Sequence, residues 1–141
     1  MLNIVCPYCL KVNRVPQKDS YKKVNCGYCK NSLLNPKVVE ANTQTFNHFL
    51  QNSSIPLVVD FWAPWCGPCQ MMAPAFKEAA NAFPLKAQFL KVNTEENPQI
   101  AAQYGIRSIP TMIIFKNAQE VDRVSGALPA SHIKEWVQRY I

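Results

Sequence analysis

Leu57-Val58-Val59-Asp60-Phe61-Trp62-Ala63-Pro64-Trp65-Cys66-Gly67-Pro68-Cys69 runs from an apolar strand, through a cysteine pair, into a helix. Leu57 to Trp62 is apolar on both faces apart from Asp60, the pattern of a central strand covered on both sides. Beyond it Met72, Phe76, Ala79, Ala80 and Phe83 recur at helical spacing, and Pro68 suits a first helical turn, where no intrahelical donor is lost. Cys66 therefore falls at a strand-to-helix junction, near unsatisfied N–H groups and the positive end of the helix dipole, and both favour its thiolate. Another metal site would need further ligands nearby, and His48 and His132 are isolated.

Outward from this stretch the same periodicities give the remaining elements. Asn42 and Thr43 are cap candidates for a helix whose inner face carries Phe46, Phe49 and Leu50. Phe89 to Val92 reads as a strand, and Asn97-Pro98 to Tyr104-Gly105 as a capped helix with a C-terminal glycine. Thr111 to Phe115 and Gln119 to Val124 read as a hairpin, although Asn117-Ala118 lacks the glycine that best favours a tight turn. Ser131 is the cap expected for a last helix with Ile133, Trp136, Val137, Tyr140 and Ile141 inward, and Pro74 is expected to kink the cysteine helix. Trp62 and Trp136 read as core residues.

Cys6-Pro-Tyr-Cys9 and Cys26-Gly-Tyr-Cys29 lie sixteen residues apart, the spacing of a four-cysteine zinc site built from two knuckle turns. Gly27 is expected to permit a positive φ in the second knuckle. A closed site of this kind is structural first, and a segment of 36 residues needs it to fold. Iron in a rubredoxin-like centre uses the same cysteine geometry. The boundary is expected near Asn35-Pro36, giving a four-cysteine module over 1–36 and a second domain over 37–141.

At 141 residues, 48% hydrophobic and 17% charged, the chain has globular composition. No run reaches the roughly 18 apolar residues of a membrane span. Met1-Leu2-Asn3-Ile4-Val5-Cys6 shows neither the basic nor the apolar region of an export signal, so a cytoplasmic location and no membrane partner are expected. In that compartment cysteine pairs are metal ligands or redox centres. Residues 1–36 carry six cations against Asp19 alone, a net of +5, while residues 37–141 hold nine basic and eight acidic side chains. Solvated surface offsetting a thiolate cluster explains this asymmetry, so nucleic acid is not an expected partner. A competing reading makes the module an adaptor whose cations and Tyr8, Tyr21 and Tyr28 bind single strands or protein.

Val59-Asp60-Phe61-Trp62, Trp65-Cys66-Gly67-Pro68-Cys69, Lys91-Val92-Asn93, Ile109-Pro110-Thr111 and Gly126-Ala127, in the order βαβαβαββα, resemble the thioredoxin family over nearly all of residues 37–141. With the four-cysteine segment in front, the chain resembles its zinc-containing second thioredoxins of bacteria. The resemblance implies an α/β thioredoxin fold, a central mixed β-sheet flanked by helices, preceded by a zinc ribbon. It implies a protein-disulfide reductase in which Cys66 is the exposed nucleophile, Cys69 resolves the mixed disulfide, Asp60 is the base and Lys91 moderates its pKa. Trp65, Gly67 and Pro68 support the centre. Pro110 matches the family's cis-proline and, with Ile109, Gly126 and Ala127, meets the substrate. Partners implied are disulfide-containing proteins and an NADPH-dependent thioredoxin reductase, with one zinc, structural or redox-sensing, and no directly bound nicotinamide or flavin. Gln70, where a basic residue is frequent, and Ala118, at a usual turn glycine, depart from the pattern. Disulfide oxidation or isomerisation is the other enzymatic reading, against which Gly67-Pro68 resembles the reducing members.

Overall fold

The computed structural model describes all 141 residues. A small antiparallel pair, β1 (Leu2–Val5) and β2 (Val12–Val15), opens the chain. There follow β3 (Val39–Glu40), α1 (Thr43–Asn52), β4 (Leu57–Trp62), α2 (Gly67–Ala80), β5 (Gln88–Asn93), α3 (Pro98–Gln103), β6 (Thr111–Lys116), β7 (Gln119–Ser125) and α4 (Ala130–Gln138). The five later strands form one mixed sheet in the order β3-β5-β4-β6-β7, parallel from β3 to β4 and antiparallel from β4 to β7. No helix is long and apolar enough to cross a membrane.

β4 lies at the centre because its side chains serve two cores. Leu57, Val59 and Phe61 pack with Phe46, Phe49, Val92 and Ile100 on the α1/α3 face, while Val58 packs with Met72, Phe76, Met112, Ile133 and Trp136 under α2 and α4. Strand alternation puts Asp60 on the Val58 side, in the α2/α4 layer, beside Lys91 of β5 and Met112 of β6. An apolar residue there would extend the core without penalty, so the acid is a local conflict with folding.

Several local expectations resolve differently. Gly27 is not in the positive-φ region; Leu10 and Lys30, each just after the second cysteine of a knuckle, take φ of 68° instead. Helix α4 begins at Ala130 with Pro129 as its cap, so Ser131 lies inside the first turn, and Ile141 is exposed beyond the helix end. Asn97 does not cap α3 with its side chain; its Oδ1 accepts from the Thr43 N–H at 3.0 Å and the Thr43 hydroxyl at 3.1 Å, serving α1. Asn117 and Ala118 adopt φ of 52° and 66°, the two positive values of a type I′ turn, without a glycine. Pro74 sits inside α2, where it withholds one helix donor. Trp136 is buried with its indole N–H on Asp122, whereas Trp62 is only half-buried, with Lys91 Nζ 4.4 Å from its ring centroid.

The amino-terminal strands dock on the end of the sheet where β4 and β5 begin. Val5 joins the α1/α3 core, and Ile4, Val15 and Leu33 close a third cluster with Ile55 and Leu85. Polar clamps fix the contact: Gln88 Nε2 donates to the Val5 carbonyl at 2.7 Å, Ser54 N–H to the Asn3 carbonyl at 2.9 Å, and His48 Nε2 meets the Leu10 carbonyl at 2.6 Å.

Candidate functional site

Cys66 is the N-cap of α2, in extended backbone, and is joined to Cys69 by a disulfide with 5.3 Å between the Cα atoms. Its Sγ accepts the Cys69 N–H at 3.2 Å, so the sulfur itself caps the helix, and a thiolate there meets an amide and the helix dipole together. The exposure expected of Cys66 is small in this oxidised form: 4% of its surface is accessible against 2% for Cys69. What surrounds it is open, since Pro64, Trp65, Gly67 and Pro68 are all exposed. Trp65, 68% accessible, is held by its indole N–H on Glu95, and Gln70 Nε2 donates to the Pro64 carbonyl at 2.5 Å.

The Ile109–Pro110 peptide is cis, and the Ile109 carbonyl oxygen lies 3.7 Å from Cys66 Sγ. The Gly126 N–H, in a left-handed residue with φ 98°, donates to the Pro110 carbonyl at 2.8 Å. Thr111 Oγ1 donates to the Ser108 carbonyl at 2.7 Å and pairs with Ser125 Oγ at 3.1 Å, fixing the loop from below. Half-buried Ile109 thus faces the cysteines, with exposed Gly126 and Ala127 on the adjoining β7–α4 turn.

Asp60 is wholly buried, and neither carboxylate oxygen has a hydrogen-bond partner. Burial pushes its pKa up from 3.8 to about 7, and the Lys91 charge moderates the rise. Between those two values the folded chain holds a proton that the unfolded chain has released, so stability falls as pH rises through this window. Across the whole window the ionised acid costs about 4 kcal/mol. Asp60→Asn is expected to be more stable than the parent at pH 8 by a few kcal/mol, with the gap closing toward pH 4. Urea melts at the two pH values check this; equal gaps at both would remove burial of the carboxylate as the cause.

The four remaining cysteines stand in two matching knuckles. Cys6 N–H donates to Lys11 and Leu10 N–H to Cys6, at 2.9 and 2.8 Å; Cys26 N–H donates to Asn31 and Lys30 N–H to Cys26, at 2.8 and 3.0 Å. All four Sγ atoms lie within 4.8 Å of one another, with Cys6–Cys29 at 3.7 Å and Cys9–Cys26 at 3.6 Å. Four thiolates at ~2.3 Å around a tetrahedral ion stand ~3.8 Å apart, so this donor set fits one metal. Burial, with the neighbouring sulfurs adding, pushes the Cys6 thiol up to about 12. At Cys26 burial acts in the same direction, yet the Cys29 N–H, the Asn13 amide and the Tyr28 N–H outweigh it and bring the thiol down to about 6. Such a split among crowded sulfurs is what a central dication removes.

Sequence reading missed the amides around these sulfurs. Asn13 Nδ2 reaches Cys26 Sγ and Asn31 Nδ2 reaches Cys29 Sγ, both at 3.4 Å, while Asn13 Oδ1 accepts the Gly27 N–H at 2.9 Å. This last bond is the work of position 27, in place of a turn glycine's φ. Asn31 sits two residues from its cysteine and was open to a geometric guess, but Asn13, like Glu95 against Trp65, carries no signal in sequence.

Comparison with known proteins gives a consistent result. The family model described as thioredoxin matches residues 37–139. Thioredoxin C-3 of Corynebacterium nephridii is 41% identical over 138 residues, 98% of this chain and 94% of that protein, so the similarity takes in the four-cysteine segment. Thioredoxin 1 of Nostoc sp. is 48% identical over 102 residues, 72% of this chain and 95% of its own. The chloroplastic M-type thioredoxin of Spinacia oleracea is 40% identical over 126 residues, 89% of this chain and 68% of its own.

Proposed function

The chain belongs to the thioredoxin family of thiol-disulfide oxidoreductases, and from that premise we propose that it reduces protein disulfides through Cys66 and Cys69, with an NADPH-dependent thioredoxin reductase restoring its dithiol. The reducible pair at the head of α2, its first sulfur on a helix N–H and next in sequence to exposed Trp65, is the observation that carries this reading.

In the reduced form the Cys66 thiolate attacks one sulfur of the substrate disulfide. The new bond joins Cys66 Sγ to that sulfur; the substrate S–S bond breaks and the departing thiolate takes up a proton. Cys69, its proton passed to Asp60, then attacks Cys66 Sγ, forming the intramolecular disulfide and releasing the second substrate thiol. Two electrons and two protons have moved to the substrate. A carboxylate tuned to about 7 is suited to exchange a proton at neutral pH. Lys91, next to Asp60 in register, keeps that value from climbing further. Ile109, Pro110, Gly126 and Ala127 offer backbone and apolar surface to the partner chain, with Trp65, Gly67 and Pro68 framing the sulfurs.

We take residues 1–36 as the four-cysteine module and 37–141 as the thioredoxin domain, with zinc the metal that Cys6, Cys9, Cys26 and Cys29 hold. Zinc in a closed thiolate site supplies a cross-link and leaves no position for substrate. Oxidation of those thiolates would release it, so the module can tune activity under oxidative stress. We place this function in the cytoplasm, where both thiol sets stay reduced.

NADPH consumption in the presence of a thioredoxin reductase and a disulfide-bonded protein tests the main proposal, and no consumption with an active reductase overturns it. For Asp60→Asn, resolution of the mixed disulfide is expected to slow on the order of a hundredfold while its formation changes little. Stopped-flow mass analysis separates the steps, and equal slowing of both takes the base role away from Asp60.

A further inference from the structure

β3 is an outermost strand of the five-stranded sheet. The Ala41 N–H donates to the Lys91 carbonyl at 2.8 Å, so Val39 and Ala41 turn their backbone groups toward β5, and Val38 and Glu40 turn theirs away from the sheet. That free edge opens into a trough. Tyr8 and Leu10 of the first knuckle form one wall, and Pro74 and Lys77 of α2 form the other. The knuckle wall is fixed in place by the Tyr8 hydroxyl on the Asn35 carbonyl at 3.0 Å and by His48 on the Leu10 carbonyl. Glu40 and Lys91 line both this trough and the next cleft, which reaches Trp62 and Pro64, two residues from Cys66. Ile109, Gly126 and Ala127 lie across β4 on the β6 and β7 side, so the trough is a separate surface.

Charge narrows the occupant. Lys37, Lys77 and Lys91 stand in the trough against Glu40 alone. The two ion pairs of the structure, Arg123–Glu120 and Lys134–Glu78, use none of them. Lys37 Nζ lies 5.3 Å from the Tyr8 ring centroid, a contact that leaves its charge intact. We propose that this trough receives an extended, acidic segment of the protein whose disulfide is reduced, added as a short strand to the β3 edge and leading the substrate cysteine toward Cys66. Main-chain pairing supplies affinity that tolerates many sequences, and the lysines select negative flanks. The four-cysteine module thereby becomes part of the substrate surface. The inference rests on the disulfide-reductase reading and names the substrates which that activity favours.

The test uses the full chain with two peptide disulfides that differ only in the flank, one acidic and one lysine-rich, in the reductase-coupled assay. The parent is expected to favour the acidic peptide through KM. Lys37→Glu combined with Lys77→Glu should raise that KM on the order of tenfold, leaving kcat and turnover of a small aromatic disulfide unchanged. A serine-for-cysteine version of the acidic peptide should slow hydrogen exchange at the Val38 and Glu40 amides. Turnover without preference between flanks, or with unprotected amides, overturns the trough while leaving the reductase reading standing. No turnover of either peptide overturns that reading first, and the trough with it. A dimer in sedimentation that the double variant dissociates would seat a second copy there and overturn the proposal.

Discussion

Cys66→Ser is expected to reduce protein-disulfide turnover roughly a thousandfold or more, to background, while Cys69→Ser keeps the first attack and accumulates a mixed disulfide at one substrate per chain. The two cysteines are only 4% and 2% accessible in the oxidised form, so exposure barely separates them. Position does. Cys66 Sγ receives the Cys69 N–H at the head of α2 and lies 3.7 Å from the Ile109 carbonyl, beside exposed Trp65 and Pro68; Cys69 is inside the first turn, packed with Ala63. With Cys66 alone present, attack proceeds and nothing expels the substrate, and intact-mass measurement reads the adduct. An adduct on Cys66→Ser and none on Cys69→Ser would exchange the two roles.

How much of this was legible in sequence depends on whether a residue's partner is local. β4 was readable to its ends, since five apolar residues and one acid in six consecutive positions leave few alternatives to a central strand. The cysteine helix was readable from Met72, Phe76, Ala79 and Ala80 on one face, although Phe83, expected to continue that face, is buried just past the helix end at Ala80. Capping was misread where another residue claimed the cap or the capping side chain. Asn97 has an N-cap's position, but its oxygen is used by Thr43, fifty-four residues away. Ser131 lost its place because Pro129, with a fixed φ, could start the helix earlier. In the site, the cysteines and Asp60 stood out because thiols at that spacing and an acid in an apolar strand have few structural uses. The seat of the module was not legible at all. Val5, Gln88 and His48 are ordinary residues whose meaning lies in contacts up to 83 positions distant.

Removal of the zinc proposed for the four-cysteine site is the second large effect. Chelation under reducing conditions is expected to release one zinc per chain and to abolish amide protection in β1, β2 and both knuckles, while the protection of α1 to α4 is kept. Structural zinc contributes about 10–16 kcal/mol in peptides of this kind, and the apolar cluster beneath the site has only seven buried members, two of them cysteines of that site. Hydrophobic burial on that scale cannot hold the module alone. Its loss propagates, because Val5 leaves the α1/α3 core and Ile55 and Leu85 lose their cover, so the thermal midpoint of the remaining domain should fall by several degrees. Turnover of a small aromatic disulfide should persist, since Cys66, Cys69 and Asp60 lie toward the other end of β4 from the docking contacts at Asn3 and Val5. Protection that survives chelation would mean that Ile55, Leu85 and the Gln88 and His48 clamps suffice to fold the module. The cysteines would then be free to cycle between thiol and disulfide without unfolding it, and the cross-link role of the metal would be withdrawn.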